Sequence, residues 1–234
     1  MVQVVEDDAL FLSEMRLFAN VGQEHLRDLA GHLRMHRYRK GEVIFHEDDP
    51  PGSLFLVKKG IVKVQLLSRD GKRITIAWVR PLNFFGTLSC VSGMPRPESA
   101  VALEATEVLL LQRDQFQMFL RDHPEAAMDF IDLLAERWQS GLDLLQDVAF
   151  LGVPARLAKV LLGLTTSPSL GRRCLEDDDG FLTSPSQVEL AALVGATRES
   201  VNKWLQRFVQ TGWLEFHGRK MRVLDEQSLR RLLD

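Results

Sequence analysis

The sequence of 234 residues has only two cysteines, Cys90 and Cys174. Two cysteines are too few for a disulfide framework or for a structural zinc site with four cysteine ligands. No apolar run reaches the roughly 20 residues that a membrane-spanning helix requires. The first twelve residues carry three acidic and no basic side chains, so a secretory signal peptide is not expected. These absences argue against secreted and membrane-spanning proteins and favour a cytoplasmic location.

The composition is typical of a folded soluble protein of one or two domains, with 45% hydrophobic and 26% charged residues. The net charge of −3 does not by itself indicate a nucleic-acid partner. The charge is unevenly distributed, because six basic residues stand against two acidic ones between Arg198 and Arg222. Such a basic stretch fits either a DNA-contacting element or an ordinary solvated face.

The period of the hydrophobic residues changes along the chain. Residues 9–34 have helical spacing. From Tyr38 to Gln112, short β-rich runs alternate with turn signals at roughly 8–12-residue spacing, which predicts a β-sandwich or barrel. The clearest hairpin turn is 67–72, which contains Asp70-Gly71. The predicted strands are 42–46, 54–58, 61–67, 73–79, 100–105 and 107–111.

A long helix is predicted after a short one at 114–120. Asp122 is its predicted cap, Pro124 lies in its first turn, and it ends near Val148. Two apolar stripes on this helix indicate two packing partners. One stripe can lie on the β-domain, and the other meets a second copy in a dimer or is buried within the monomer. The first stripe contains Ala127, Ile131, Leu134, Trp138, Leu145 and Val148, and the second Phe130, Leu133 and Leu144.

The C-terminal region predicts a helix-turn-helix. Residues 150–154 are a predicted hinge, because Gly152 can cap a helix and Pro154 can block its continuation. A helix at 156–165 and a polar loop at 166–180 follow. The next helix is predicted to start at a Ser184 cap with Pro185 in its first position, and to end at Gly195. A further helix from Arg198 to about Val209 completes the motif.

The second helix of the motif carries candidate DNA-reading residues. The residues predicted to pack between the two helices of the motif are Leu190, Leu193, Val201, Leu205 and Phe208. The remaining outer face, at the helix N-terminus, is the one that enters the major groove in this motif. Arginine and lysine donate to guanine, glutamate accepts from cytosine, and asparagine pairs with adenine. The candidate base-reading residues are Arg198, Glu199, Asn202 and Lys203, and Thr197 and Ser200 are candidate phosphate contacts.

A hairpin is predicted at 213–224, around the turn 217–219. Arg219, Lys220 and Arg222 place positive charge on it. A hairpin next to a helix-turn-helix is a wing, and Arg219 and Lys220 are candidate contacts to the DNA backbone. The alternative for the whole region is a solvated surface without a DNA partner.

In the order of these predicted elements, the chain resembles the Crp/Fnr family of transcription regulators, the cyclic-AMP receptor protein family. The resemblance extends over nearly its whole length. The matching segments are 40–45, 55–64, 84–86, 148–151 and, most specifically, 193–203. The resemblance implies an α+β protein. It would have an N-terminal double-stranded β-helix (a jelly roll like a cyclic-nucleotide-binding domain), a long dimerisation helix and a C-terminal winged helix-turn-helix. The implied boundaries are a β-roll effector domain with flanking helices at 1–121, a dimerisation helix at 122–149, the hinge at 150–154 and a DNA-binding domain at 155–234.

The resemblance also implies the activity. A homodimer would read a palindromic TGTGA-like site in double-stranded DNA through Arg198, Glu199 and Lys203, and RNA polymerase would be a partner. An enzyme is not expected, because the sequence contains no nucleophile elbow, P-loop, HExxH motif or paired carboxylates in a pocket-forming context.

The effector pocket departs from the family's cyclic-AMP pattern. The carboxylate that would hold the ribose is replaced by Thr87, and the arginine that would neutralise the phosphate is replaced by Glu98. Control by cyclic AMP is therefore not expected, although a shifted alignment of 91–97 would place Arg96 near the phosphate. The degenerate pocket positions are Gly86, Thr87, Leu88, Glu98, Ser99, Gly141 and Leu142.

No cofactor or metal is expected. Iron–sulfur sensing requires about four cysteines, and the six histidines form no motif for haem or metal. Cys90 lies in the effector region, either as a buried small residue or in a redox role. The effector is therefore unknown or absent. Two alternatives remain open, namely a cyclic-nucleotide-responsive regulator and a ligand-sensing module that acts through protein contacts.

Overall fold

The computed structural model describes residues 2–68, 70–166 and 181–233. The chain divides into two compact units, Met1–Leu67 with Ala77–Gly141 and Ser68–Ile76 with Leu142–Asp234. The part of the predicted polar loop from 167 to 180, with Cys174, lies outside the described residues, as does Arg69 in the predicted hairpin turn.

The first unit begins with short helices where the sequence predicted one helical region. These are α1 (Val2–Ser13), a 3-10 turn (Arg16–Phe18) and α2 (Gln23–Gly31). Two further short helices follow later in the chain, α3 (Thr87–Ser92) and α4 (Arg113–Asp122). The sequence predicted a turn rather than a helix at α3.

The predicted β-sandwich is confirmed. Its strands are β1 (Arg34–Tyr38), β2 (Val43–Phe45), β3 (Leu54–Lys59), β4 (Val62–Leu67), β5 (Arg73–Val79), β6 (Phe84–Phe85), β7 (Ser99–Ala102) and β8 (Thr106–Leu111). They form two four-stranded sheets with the orders β1-β8-β3-β6 and β2-β7-β4-β5. Strands distant in sequence therefore lie side by side, as in a jelly roll.

Strand β3 is buried on both faces because each face has its own core. Phe55 and Val57 point between the two sheets, where they pack with residues such as Phe45 and Phe85. Leu54 and Leu56 belong to a second core, which includes residues of α1, α2, α4 and residues 126 and 130. The helices thus cover the outer face of the sheet that contains β3. The core between the two sheets is separate from this helical core.

The long helix is α5 (Pro124–Phe150), and α6 (Val153–Thr166) follows after only two residues. The predicted start and end of the long helix need correction. Asp122 is the last residue of α4, and the carbonyl of His123 accepts the first bond of α5, from the amide of Ala127. Gly152 does not cap α5 in a left-handed conformation. Its carbonyl instead accepts from the amide of Arg156 and opens α6.

The second unit contains three more helices and a small sheet. The helices are α7 (Gln187–Val194), α8 (Arg198–Gln210) and α9 (Glu226–Arg230). The strands are β9 (Leu182–Thr183), β10 (Leu214–His217) and β11 (Lys220–Val223), in the order β10-β11-β9. The predicted hairpin is therefore present, and residues predicted to begin a helix add a third strand to it.

Candidate nucleic-acid interface and effector region

Helix α7 starts two residues later than predicted because a different serine caps it. The side chain of Ser186 accepts from the amide of Glu189, and the carboxylate of Glu189 accepts from the amide of Ser186. This reciprocal pair satisfies two otherwise unpaired donors of the helix. Ser184, the predicted cap, instead donates its amide to the carbonyl of Arg219 in the wing.

The turn between α7 and α8 has the chemistry predicted for a helix-turn-helix. Gly195 ends α7 at φ 65°, a left-handed conformation that glycine adopts without strain. Thr197 caps α8, and its hydroxyl accepts from the amide of Ser200 at 3.2 Å. The predicted core between the helices is confirmed, because the five side chains concerned are all buried, Leu190, Leu193, Val201, Leu205 and Phe208.

The outer face of α8 brings the four candidate base-reading residues together. Arg198, Glu199 and Lys203 are exposed in the first turns of the helix, and Asn202 is half-buried beside them. Gln187, the first residue of α7, contacts two of these side chains. Its Nε2 donates to Oδ1 of Asn202 at 2.9 Å, and its Oε1 accepts from Nε of Arg198 at 3.4 Å. Gln187 was not predicted as part of this face, because its partners lie on the next helix.

Of the candidate phosphate contacts, Thr197 is exposed and Ser200 is half-buried. Arg219 and Lys220 are exposed at the tip of the wing, where Gly218 at φ 62° forms the turn. Arg222 is placed differently. Its Nη2 donates to Glu215 at 2.7 Å, and this bond lowers the pKa of Glu215.

Arg156 connects the hinge to the helix-turn-helix. Its Nε donates to the carbonyl of Val194 at 2.8 Å, and its Nη1 donates to that of Leu151 at 2.9 Å. Longer contacts, at 3.4 Å, reach the carbonyls of Val148 and Gly195. One guanidinium therefore satisfies carbonyls at the C-terminal ends of both α5 and α7, which would otherwise have no donor in their own helices.

Arg96 is buried within the predicted effector region of the β-roll. Its side chain is 3% exposed, and its Nη1 and Nη2 donate to the carbonyls of Gly86 and Ser53, each at 2.9 Å. The guanidinium also lies over the rings of Phe45 and Phe55, at 4.3 and 5.2 Å from their centroids. Burial lowers the pKa of Arg96.

Glu98 lies near Arg96, and a second arginine, Arg137, lies near Glu98. Glu98 is buried, and this burial raises the pKa of its carboxyl despite the positive charges of Arg96 and Arg137. Arg137 comes from α5. Its Nη2 donates to the carbonyl of Phe84 at 2.6 Å, its guanidinium lies 4.1 Å from the centre of that ring, and burial lowers its pKa to about 10. Arg137 was not among the predicted pocket residues, although it lies at heptad spacing between Phe130 and Leu144 and so interrupts the second predicted stripe.

The other predicted pocket positions are only partly brought together. Gly86, at φ 75°, opens α3, and a Cβ there would lie 2.5 Å from Nη1 of Arg96. Thr87 is buried and Leu88 exposed, while Ser99 is buried with its hydroxyl accepting from the amide of Glu47. Gly141 is exposed and Leu142 half-buried on α5.

Cys90 is fully buried beside this region, and burial raises the pKa of its thiol to about 11. A high pKa disfavours the thiolate, which is the reactive form. The environment therefore favours the interpretation of Cys90 as a buried small residue.

Helix α5 exposes a regular apolar seam. Ile131, Trp138 and Leu145 recur every seven residues and are 53%, 71% and 64% exposed. When the residues between these three on the same face are included, the seam has the alternating three- and four-residue spacing of a coiled coil. Its members are Met128, Ile131, Ala135, Trp138, Leu142, Leu145 and Ala149. Of the residues predicted for a dimer contact, Val148 is also exposed, whereas Leu134 is partly buried against the helical core.

Within the described ranges, no cluster of three or more histidine, cysteine or carboxylate side chains could hold a metal ion. In the same part of the chain, no helix has the length and apolar character to span a bilayer.

Both halves of the chain match known domain families. Residues 35–123 match the family described as "Cyclic nucleotide-binding domain", and residues 155–232 match "Crp-like helix-turn-helix domain". The "CRP-like cAMP-activated global transcriptional regulator" of Mycobacterium tuberculosis is 30% identical over 223 residues, which cover 94% of this chain and 97% of the relative. The "cAMP-activated global transcriptional regulator CRP" of Escherichia coli O157:H7 is 25% identical over 193 residues, or 82% of this chain and 90% of the relative.

A solved structure agrees with these sequence matches. FixK2 from Bradyrhizobium japonicum superimposes with a TM-score of 0.73 at 26% identity, covering 86% of this chain and 96% of that one. The helix-turn-helix with its adjacent hairpin, the β-roll and the matched domains lead to one conclusion: the chain belongs to the Crp/Fnr family and is a DNA-binding transcription regulator.

Proposed function

We propose that this regulator acts as a homodimer on a palindromic, TGTGA-like DNA site and that its DNA binding does not require cyclic AMP. Helix α8 reads the bases, and the wing contacts the backbone. The observation that carries the cyclic-AMP-independent part is the buried side chain of Arg96, which is bonded to the chain's own carbonyls in the predicted effector region of the β-roll. Cytoplasmic location and a contact with RNA polymerase belong to the same proposal, and no enzymatic activity is assigned.

The α8 surface supports DNA reading. Arg198 and Lys203 are exposed cations on a helix N-terminus, and Glu199 beside them can accept from cytosine. Arg219 and Lys220 lie exposed on the wing, where cations neutralise phosphates. Binding through such contacts releases counterions, so its affinity should fall as salt rises.

The seam on α5 supports the homodimer. The helix has 27 residues and is therefore roughly 40 Å long, enough for several heptads. Trp138 at its middle is 71% exposed. Two copies of the seam, packed against each other, would bury these side chains as knobs in holes. Two copies of α8 would then match the two-fold symmetry of a palindrome, with half-sites about one helical turn apart.

The interior of the β-roll supports independence from cyclic AMP. Arg96 is committed to the chain's own carbonyls, and the neighbouring carboxyl is that of Glu98. An ionised Glu98 about 4 Å from a phosphate would cost roughly 1 kcal/mol in bulk water and roughly 4 kcal/mol at an effective dielectric of 20. Thr87 cannot supply the carboxylate that would hold a ribose hydroxyl.

The relatives suggest one alternative. Both curated relatives named above are described as cAMP-activated, so activation by cyclic AMP is the second candidate function. Under this alternative, Arg96 would leave its two carbonyls and bind the phosphate.

The test is binding of the purified protein to a TGTGA-N6-TCACA duplex, with and without cyclic AMP, against a scrambled duplex at fixed salt. We expect specific binding with an affinity that cyclic AMP does not change. Binding that requires cyclic AMP would refute the assignment and support the alternative. Absence of specific binding in both conditions would refute the TGTGA half-site. Selection from randomised duplexes would then be used to identify the site.

The homodimer has its own test. Trp138→Glu places a charge in the seam and should convert the dimer to a monomer in sedimentation analysis. Met118→Glu is the matched control, because Met118 is similarly apolar and 54% exposed but lies on α4. A wild-type protein that sediments as a monomer would contradict the proposal.

A further inference from the structure

Gln187 lies between the two helices of the motif and contacts both an arginine and an asparagine of the reading face. Its Nε2 donates to Oδ1 of Asn202 at 2.9 Å, and its Oε1 accepts a longer bond, 3.4 Å, from Nε of Arg198. Gln187 and Asn202 are both half-buried, while Arg198 is exposed. The three side chains form a short chain of hydrogen bonds that runs from α8 to α7 and back.

The direction of this chain is fixed by Arg198. A guanidinium has only donors, so the amide of Gln187 must present its oxygen to Arg198. The amino group of Gln187 then points at Asn202. Because this amino group can only donate, Asn202 must in turn present its oxygen to Gln187 and its amino group elsewhere. Neither amide can be reversed without losing a bond.

This orientation changes what Asn202 can read. A bidentate pair with adenine needs the asparagine oxygen to accept from N6 while its amino group donates to N7. In this protein the oxygen already accepts from Gln187, which uses one of its two lone pairs and restricts the direction in which it faces, whereas the amino group is not engaged by this contact. Asn202 therefore acts as a donor, which suits guanine O6 or N7, thymine O4 or a phosphate oxygen.

The same contact restricts Arg198. With Nε directed at Gln187, the two terminal nitrogens remain for a bidentate contact with guanine. The backbone at Gln187 is well fixed, because the preceding residue, Ser186, forms the capping box with Glu189. A side chain held by a rigid neighbour is oriented before its partner arrives.

We propose that Gln187 is a positioning residue that sets the base preference of the reading helix. It orients Arg198 toward guanine, and it converts Asn202 from an adenine reader to a donor. The inference rests on the proposed function, in which α8 enters the major groove.

The experiment compares specificity profiles obtained by selection from randomised duplexes, so that it does not depend on the assumed half-site. Gln187→Leu removes both bonds at similar size. Gln187→Glu keeps an acceptor for Arg198 but loses the donor to Asn202. Gln206→Leu is the control for a glutamine-to-leucine change, because Gln206 is an exposed glutamine on α8, the helix that carries Arg198 and Asn202. Melting temperature and affinity for scrambled DNA are measured in parallel.

We expect Gln187→Leu to reduce discrimination roughly tenfold at the base pairs nearest Arg198 and Asn202, equivalent to about 1.4 kcal/mol. Melting temperature and scrambled-DNA affinity should not change. Gln187→Glu should retain the guanine preference of Arg198 and gain tolerance for adenine at the neighbouring position. The control should keep the wild-type profile.

Two results would overturn the inference. One is an unchanged profile in both Gln187 variants. The other is an equal loss of affinity for selected and scrambled DNA, which would make Gln187 a phosphate contact only. Failure of the proposed function would be distinguishable, because the wild-type protein itself would then select no sequence.

Discussion

The same chemical group has opposite roles in the two units of this regulator. In the β-roll, the guanidinium of Arg96 is buried and bonded to the carbonyls of Gly86 and Ser53. In the helix-turn-helix, that of Arg198 is exposed at the start of α8. A buried cation satisfies its own chain, whereas an exposed one at a helix end is available to a partner. The same group thus stabilises the fold in one unit and is left accessible to a partner in the other.

The largest expected effect is on stability, and it comes from the buried arginine, Arg96. Arg96→Ala leaves the carbonyl of Ser53 without the donor that Arg96 supplies, at roughly 1–3 kcal/mol, and removes one of the two bonds to the carbonyl of Gly86, which still accepts from the amide of Cys90. With roughly 0.5–1.5 kcal/mol for that second bond, we expect the free energy of unfolding to fall by about 1.5–4.5 kcal/mol. Denaturant titration measures it. Lys40→Ala, on an exposed residue, is the control and should stay within about 0.5 kcal/mol of wild type. A similarly small loss for Arg96→Ala would show that Arg96 is not committed to the fold.

The exposed arginine, Arg198, should affect DNA binding and leave stability nearly unchanged. Arg198→Ala should reduce the free energy of specific DNA binding by roughly 1–3 kcal/mol and relax the preference at one base pair. Its free energy of unfolding should stay within about 0.5 kcal/mol of wild type, because the side chain is exposed. An equal loss on specific and scrambled DNA would contradict base reading by this residue.

Thr197 combines features of the two arginines, because its side chain is exposed, like that of Arg198, yet bonded within the chain, like that of Arg96. Its hydroxyl caps α8, so Thr197→Ala should lower the free energy of unfolding by about 1 kcal/mol. Thr197→Asn keeps an acceptor at the cap and should restore most of this stability. If both variants are equally destabilised, the hydroxyl does not act through the cap.

The smallest effect concerns the pH dependence of the β-roll. The pKa of Glu98 is raised in the folded protein, so its contribution to stability is present below the ordinary glutamate pKa and is lost as pH rises through the folded value. Glu98→Gln removes this dependence. The variant should therefore melt at a higher temperature than wild type at neutral pH, and the difference should shrink in acid. A difference that grows in acid would contradict the burial of an ionisable Glu98.

The sequence was sufficient to predict most of the strands and the helix-turn-helix, because their apolar residues follow the period of the element. Strand β1 was missed for a physical reason. Its sequence, Arg-Met-His-Arg-Tyr, has no apolar alternation, and it is a strand because it pairs with β8 at the edge of a sheet. Edge strands bury little, so their pattern is weak.

The start of α7 could have been predicted more accurately. Two serines, Ser184 and Ser186, precede the helix, and both were compatible with a cap. Only Ser186 has a glutamate three residues later, which is the capping-box spacing. The presence of Pro185 favoured the earlier start, but the reciprocal bonds at Ser186 determine the observed one.

Contacts between distant residues could not be predicted. Arg137 reaches the carbonyl of Phe84, which lies 53 residues earlier in the chain. Gln187 pairs with Asn202 across the turn. Both are polar residues whose own segments carry no marker of their partners. The reading face was thus predicted as a set of independent side chains, whereas the structure connects two of them.

The contacts of Arg156 have a consequence for the entropy of DNA binding. A loose linker would let each helix-turn-helix sample many orientations, and binding would have to remove that freedom. Only Leu151 and Gly152 separate α5 from α6, and Arg156 on α6 donates both to the carbonyl of Leu151 in this connection and to that of Val194 at the end of α7. Within the second unit, the order of this connection relative to α7 is therefore established when the chain folds, before DNA is bound. In the proposed dimer, once one half-site is bound, the second is met at a high effective concentration.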